Sequence, residues 1–151
     1  VMAWVYATAN NTGNSEDHYI YQFGRDVGPP STSYWGGHGM YRAVGDTSSL
    51  NHKVVWCARG WLENGSLQKV CTQPRYAENV WYNLAYTMNN TKFCFLIDGS
   101  YVNCRNTDGQ NINMSWPAGT FSGQNIMPCI GATGSLCNGS SSLHFEGKID
   151  E

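Results

Sequence analysis

The chain has 151 residues, a formal net charge of -2 and only 13% charged residues. This length suits a single domain, residues 1–151, with a hydrophobic core of its own. The few Lys and Arg residues are scattered, so no basic surface for nucleic acid or for a membrane surface is expected. No apolar run approaches the roughly 20 residues of a membrane-spanning helix, so no membrane span is expected in this segment.

The chain reads as a succession of short strands between polar or glycine-rich segments. In residues 81–88 the large apolar side chains recur at every second position, and no segment shows the 3.6-residue period of a helix. The predicted strands are 2–9, 18–23, 38–44, 53–62, 66–72, 81–88, 93–97, one that begins at Tyr101, 126–130 and 143–149. Such a series of short strands with turn signals between them predicts an all-β sandwich or barrel with very little helix.

The connections between these strands are of two kinds. Asp98-Gly99 is a strong hairpin signal because Gly accepts the positive φ that a two-residue turn needs, and Asn64-Gly65 predicts a second hairpin. Residues 26–37 contain Gly28-Pro29-Pro30 and a Ser/Thr/Gly cluster, which predicts a long loop. Long loops in compact domains are often functional.

Six cysteines fall as three local couples, and each couple brackets a predicted turn. In a hairpin about such a turn the two cysteines lie at or near opposed positions, where their Cβ atoms are close enough to bridge. Six cysteines allow fifteen pairings, and reduced buried cysteines are the alternative. Zinc ligation is disfavoured because no C-x-x-C or Cys/His cluster is present. We predict three disulfides, which join Cys57 to Cys71, Cys94 to Cys104 and Cys129 to Cys137.

The sequence also carries N-x-S/T glycosylation sequons. They begin at Asn10, Asn64, Asn89, Asn113 and Asn138. Three of them, at Asn64, Asn89 and Asn138, fall on predicted turns, where a glycan can be accommodated. Together with the cysteine couples they predict an extracellular chain, either secreted or the ectodomain of a surface protein.

Several segments together resemble a known family. They are residues 4–6, 19–24, 81–87, 95–99, 130–132 and 145–151. The W-x-x-x-A strand, the I-D-G hairpin and the terminal F-x-G-x-I-D-E are similar in order and spacing to those of laminin G-like, concanavalin A-like jelly-roll domains. The resemblance implies two antiparallel sheets packed face to face, with a concave face and loops that often bind glycans or other proteins.

Relative to that family, the chain starts and stops inside the pattern. A strand before residues 2–9 and several residues after Ile149-Asp150-Glu151 are missing. The domain is therefore expected to be part of a longer polypeptide, or to have an open sheet edge that a neighbouring chain completes.

Catalysis is not expected from this sequence. Glycoside hydrolysis needs two carboxylates on either side of a sugar bond, and the E-x-D-x-x-E run of the related glucanases is absent. Glu16-Asp17 is a loop pair, and Asp150 and Glu151 are neighbours that point to opposite faces. There is no G-x-S-x-G elbow, and the four His residues are dispersed.

A binding site is the better prediction. Sugar rings stack on aromatic side chains while nearby polar groups orient their hydroxyls. The long loop carries two aromatic residues next to Gly36-Gly37, and a cation and an indole lie near the Asn64-Gly65 turn. We predict ligand binding at Tyr34, Trp35, His38, Arg59 and Trp61, although aromatic residues that merely pack in the fold are equally compatible with the 13% aromatic content.

A structural calcium ion is a further expectation from the resemblance. Asp150 matches the aspartate that, in many members of the superfamily, binds calcium together with backbone carbonyls of an early loop. The candidate partner loop runs from Gly24 to Asp26. The alternative is that Asp150 caps its strand or pairs with Arg25.

Two functions from different classes remain open at this point. One is a non-catalytic lectin-like or adhesion domain whose partners are glycans or other extracellular proteins. The other is a structural subunit of an extracellular glycoprotein assembly, such as a filament, a coat or a surface layer, in which the sandwich self-associates.

Overall fold

The computed structural model describes residues 1–8, 18–25, 36–43, 53–72, 76–111, 129–131, 145 and 147–150. Within these ranges the chain is all β and contains no helix. The strands are β1 (Met2–Ala7), β2 (His18–Arg25), β3 (Gly36–Ala43), β4 (Lys53–Trp61), β5 (Leu67–Cys71), β6 (Tyr76–Ala77), β7 (Trp81–Met88), β8 (Lys92–Ile97), β9 (Ser100–Asn106), β10 (Cys129–Ile130) and β11 (Gly147–Asp150).

The strands form two antiparallel sheets that pack face to face. The first sheet has the order β11-β1-β7-β8-β9, and the second has the order β10-β2-β3-β4-β5, with β6 paired to β4. The predicted all-β sandwich is therefore confirmed, and the predicted barrel alternative is wrong. In the first sheet β1 lies between β7 and β11, which come much later in the chain.

The core lies between the inner faces of the two sheets. Val5, Leu84 and Phe95 of the first sheet belong to one buried cluster with Met40 and Trp56 of the second sheet. All five are fully buried. Because side chains alternate along a strand, their sequence neighbours in the same strands project to the outer faces.

A buried ion pair ties the two layers together at one position. The Arg42 Nη2 on β3 lies 2.7 Å from the Glu78 Oε1, in the turn before β7, and both side chains are almost completely buried. The Arg42 Nη1 also donates a hydrogen bond of 3.0 Å to the carbonyl oxygen of Thr8, just after β1. The guanidinium therefore links β3 of the second sheet to the segments next to β1 and β7 of the first sheet.

The predicted hairpin at Asp98-Gly99 is confirmed. Asp98 has φ 49° and Gly99 has φ 77°, so both residues of the turn adopt the left-handed conformation that Gly and Asp tolerate. The Asp98 Oδ1 accepts a 2.8 Å hydrogen bond from the backbone N–H of Asn83. The turn is thereby attached to β7 at this end of the first sheet.

Two of the three predicted disulfides are confirmed. Cys57 and Cys71 are directly opposed on β4 and β5 and form an S–S bond. Cys94 and Cys104 are opposed on β8 and β9 in the same way. The third predicted couple involves residue 137, which lies outside the described residues.

Two residues of the predicted long loop belong to a β-strand in the structure. Gly36 and Gly37 pair with Arg25 and Gly24 and extend the β2–β3 ladder, so the loop prediction is wrong for these two residues. Glycine lowers strand propensity because it has no side chain to pack, yet its backbone pairs like any other. Residues 26–35 lie outside the described part of the chain.

Candidate functional site

Three aromatic side chains lie on the outer face of the first sheet. Val5 and Ala7 of β1 point into the core, so Trp4 and Tyr6 point away from it. Tyr6 is directly opposed to Trp81 at the start of β7. We call Trp4, Tyr6 and Trp81 the aromatic surface.

Much of the aromatic surface is exposed to solvent. Trp4 is 42% exposed and Trp81 is 41% exposed, which is unusual for two indole rings on one sheet face. The Tyr6 and Trp81 ring centroids are 5.5 Å apart with the planes tilted by 49°. Tyr101 on β9, at the hairpin end of the same sheet, is 67% exposed.

Polar groups border these rings. In the strand register Trp4 lies between Asp150 on β11 and Asn83 on β7. The Lys148 Nζ lies 5.7 Å from the centroid of the Tyr6 ring, within the range of a cation–π contact. The outer face therefore combines flat apolar rings with a carboxylate, an amide and an ammonium group. Such a combination can accommodate a ligand that has both apolar faces and hydrogen-bonding groups.

The sequence of β1 carries a signal for this surface. Residues 2–7 are apolar at almost every position, so one face of β1 must remain apolar outside the core if the other face is buried. Which face points outward, and which aromatic residues of other strands join it, depends on the pairing of β1 with β7.

The predicted ligand residue His38 lies on the inner face of the second sheet. It is half-buried, and its Nδ1 forms a hydrogen bond with the Tyr86 hydroxyl across the sandwich. Its ring stacks on Phe23, with the ring centroids 5.5 Å apart. Burial lowers the pKa of the His38 imidazole from 6.5 to about 4 and raises the pKa of Tyr86 above its usual value. The imidazole is therefore neutral at physiological pH.

His38 also borders an open pocket of about 510 Å³ at one end of the sandwich. The lining residues are Val1, His38, Tyr86, Thr87, Met88, Asn89 and Asn111. We call this space the His38 pocket. Its wall mixes an aromatic edge and a thioether with amide and hydroxyl groups, and three of its residues, Val1, Asn89 and Asn111, lie outside strands.

The predicted ligand residues Arg59 and Trp61 do not join His38. His38 is opposed to Gly60, so the two flanking residues project from the other face of the sheet. There the Arg59 Cζ lies 4.7 Å from the ring centroid of Tyr19 and 5.2 Å from that of Tyr41.

Both tyrosines under Arg59 are buried, and a half-buried cation that stacks on buried rings contributes to packing. Tyr34 and Trp35, the remaining members of the predicted set, lie outside the described residues. The three described members therefore occupy both faces of the second sheet and do not form one site.

The residues of the calcium prediction are distributed over both sheets. Asp150 is exposed on β11 of the first sheet, and Gly24 is near the end of β2 in the second sheet. Asp26 lies outside the described residues. Within the described ranges no group of three or more His, Cys, Asp or Glu side chains is arranged to hold a metal ion. Calcium binding stays a prediction.

Two of the predicted glycosylation sequons lie within the described residues. Asn64 lies in the turn between β4 and β5, and Asn89 lies in the turn between β7 and β8. Both asparagines are exposed. The sequons at Asn10, Asn113 and Asn138 lie outside the described residues.

Comparison of the sequence with protein-family models finds no match, and comparison with curated proteins finds none either. In the part of the chain that the structure describes, no helix has the length and apolar character needed to span a membrane.

Proposed function

We propose that the chain is a non-catalytic, extracellular carbohydrate-binding domain of the laminin G-like, concanavalin A-like jelly-roll type. The aromatic surface carries the proposal, because it places two exposed indoles and a phenol beside Asp150, Asn83 and Lys148 on a rigid sheet. Two disulfides between opposed strands support the extracellular location, since such bonds persist in oxidising compartments.

The exposed ring area sets the strength of binding that stacking can supply. An aromatic side chain has roughly 150–250 Å² of surface to bury, so each indole leaves on the order of 80–100 Å² available to a ligand. At about 25 cal/mol per Å² the two rings together contribute at most about 4–5 kcal/mol. This corresponds to a Kd of roughly 1 mM. Hydrogen bonds from the bordering polar groups, or several sugar residues in one ligand, must supply any tighter affinity.

A glycan array tests the proposal directly. The wild-type domain is compared with Trp4→Ala and Trp81→Ala, and Leu67→Ala serves as the control because it removes an apolar side chain that is 41% exposed on the second sheet. We expect both variants in the aromatic surface to lose retention at least tenfold, with the control unchanged. The proposed site is wrong if Trp4→Ala and Trp81→Ala fold normally and keep wild-type retention.

The structural-subunit alternative is favoured by one specific observation. Strand β9 is an edge strand of the first sheet, most of its residues are exposed, and edge strands invite pairing with another chain. Sedimentation over a range of concentrations separates the two functions. A carbohydrate-binding domain binds its glycan as a monomer, whereas an assembly subunit forms larger species that a proline in β9 disperses.

A further inference from the structure

The two described sequons share one local geometry. The Asn64 Oδ1 accepts hydrogen bonds from the backbone N–H and the hydroxyl of Ser66, at 2.9 and 2.7 Å. The Asn89 Oδ1 accepts the same two bonds from Thr91, at 2.9 and 2.7 Å. It accepts a third bond, of 2.8 Å, from the backbone N–H of Lys92. In both sequons the Ser or Thr that defines the motif holds the amide oxygen of the asparagine in place.

Both sequons are also open to a modifying enzyme. Asn64 and Asn89 are exposed, as are the residues that follow them, Gly65 and Asn90. A Cβ placed on Gly65, which has φ +80°, would meet no atom within 4 Å. The hydrogen-bond partners lie within three residues of each asparagine, so the same turn can form in a short segment before the domain folds.

We propose that Asn64 and Asn89 both carry N-linked glycans, and that these glycans occupy the end of the sandwich away from the aromatic surface. The inference rests on the extracellular location given above. In the transfer the Asn Nδ2 attacks the anomeric carbon of a lipid-linked oligosaccharide diphosphate. A C–N bond forms, the C–O bond to the diphosphate breaks, the Nδ2 proton passes to a base of the transferase, and the lipid diphosphate leaves.

A short segment places the two sequons at the same end of the fold. The Thr107 Oγ1 donates a 3.1 Å hydrogen bond to the carbonyl oxygen of Asn89. Four residues later the carbonyl oxygen of Asn111 accepts a 3.0 Å bond from the Glu63 N–H, in the turn that carries the other sequon. Residues 107–111 therefore span from one glycosylation turn to the other, past the His38 pocket, which Asn89 and Asn111 both line.

The aromatic surface lies at the opposite end of β7. Trp81 is the first residue of this strand, and Asn89 follows its last residue, Met88. Eight residues of extended chain span about 27 Å. Glycans on the two turns therefore cover the end that contains the His38 pocket and leave the indole rings accessible. The modification would direct large ligands away from the pocket and toward the aromatic surface.

The first test is peptide mapping of the chain secreted from a eukaryotic cell line. An amidase that releases N-linked glycans converts each modified asparagine to aspartate, so the mass of the peptide reports occupancy. We expect conversion at both Asn64 and Asn89. Ser66→Ala and Thr91→Ala should each abolish one of these conversions, while the matched controls Ser66→Thr and Thr91→Ser keep it. An unmodified Asn64 or Asn89 in the secreted, folded wild-type chain overturns the inference.

The second test concerns the placement of the glycans. Retention on the glycan array is compared between the wild type and the Ser66→Ala/Thr91→Ala double variant. Trp4→Ala is the reference for loss of retention. We expect retention of the double variant to stay within twofold of the wild type. A gain of tenfold or more means that the glycans screen the aromatic surface, which overturns the placement.

Failure of this inference is distinguishable from failure of the proposed function. Trp4-dependent retention by a chain without glycans at Asn64 and Asn89 refutes the inference alone. Glycans at both positions in a chain that no array ligand retains refute the carbohydrate-binding function alone and uphold the modification.

Discussion

The buried ion pair between Arg42 and Glu78 is the most exacting test of the packing between the sheets. The substitution Glu78→Gln keeps the shape of the side chain and one hydrogen-bond acceptor, but it leaves the Arg42 charge buried without its counter-ion. Both side chains are at most 6% exposed and the two atoms are 2.7 Å apart, so solvent does not screen the loss. Removing one partner of such a pair costs about 3–5 kcal/mol.

The free energy of unfolding that Glu78→Gln is expected to lose is a large part of the total stability. Domains of this size unfold with a free energy of about 5–15 kcal/mol. With a urea dependence of about 1–3 kcal/mol per M, the unfolding midpoint of Glu78→Gln should fall by roughly 1–5 M, and by about 2 M at the middle of both ranges. Tryptophan fluorescence during urea titration measures the change. A decrease in unfolding free energy below about 0.5 kcal/mol would refute the reasoning, because it is the value expected of an exposed pair.

The double variant Arg42→Met/Glu78→Leu provides the control. Replacing both charges with apolar groups removes the desolvation cost along with the attraction, so the double variant should be more stable than Glu78→Gln. Recovery should be incomplete, because the carbonyl of Thr8 loses the hydrogen bond that Arg42 donates. A double variant less stable than Glu78→Gln would show that the pair contributes through its exact packing rather than through its charge.

Three further perturbations follow from the contacts of single residues. The pKa of His38 is lowered to about 4 in the folded state, so the unfolded chain binds a proton that the native state excludes as pH falls from about 6.5 to 4. Native stability should decline over that window, and urea titrations at several pH values should show a shallower decline in His38→Asn. Gly39→Ala places a Cβ 2.8 Å from the backbone oxygen of Tyr21, so thermal denaturation should report a loss of about 1–3 kcal/mol. Replacing Cys94 and Cys104 together with Ser should lower the unfolding free energy by about 2–4 kcal/mol in urea titration, because the unfolded chain regains the freedom of that loop.

Local features of the fold could be predicted because their determinants are close in sequence. The Asp98-Gly99 turn follows from residues that tolerate positive φ, and it brings the flanking strands into register. The turn brings Cys94 and Cys104 to within one residue of opposed positions, and a β-bulge between Phe95 and Leu96 makes them directly opposed. The same reasoning succeeded for Cys57 and Cys71, across the Asn64-Gly65 turn.

The candidate site could not be predicted in the same way. His38 was chosen because it follows the predicted long loop, and Arg59 and Trp61 because they lie near the Asn64-Gly65 turn. Alternation along the paired strands sends His38 into the sandwich and the other two to the outer face. A shift of one residue in the β3–β4 register would have reversed that result, and no local signal in the sequence determines it.

What the sequence determined by itself was the class of fold, the hairpins and two disulfides, because alternation, turn chemistry and cysteine spacing act over a few residues. Only the tertiary structure decided which strands became neighbours. Tyr6 and Trp81 are far apart in the chain, and they meet because β1 pairs with β7 to cover the core. The burial of one face of β1 leaves its other aromatic face in solvent, and the proposed function depends on that face.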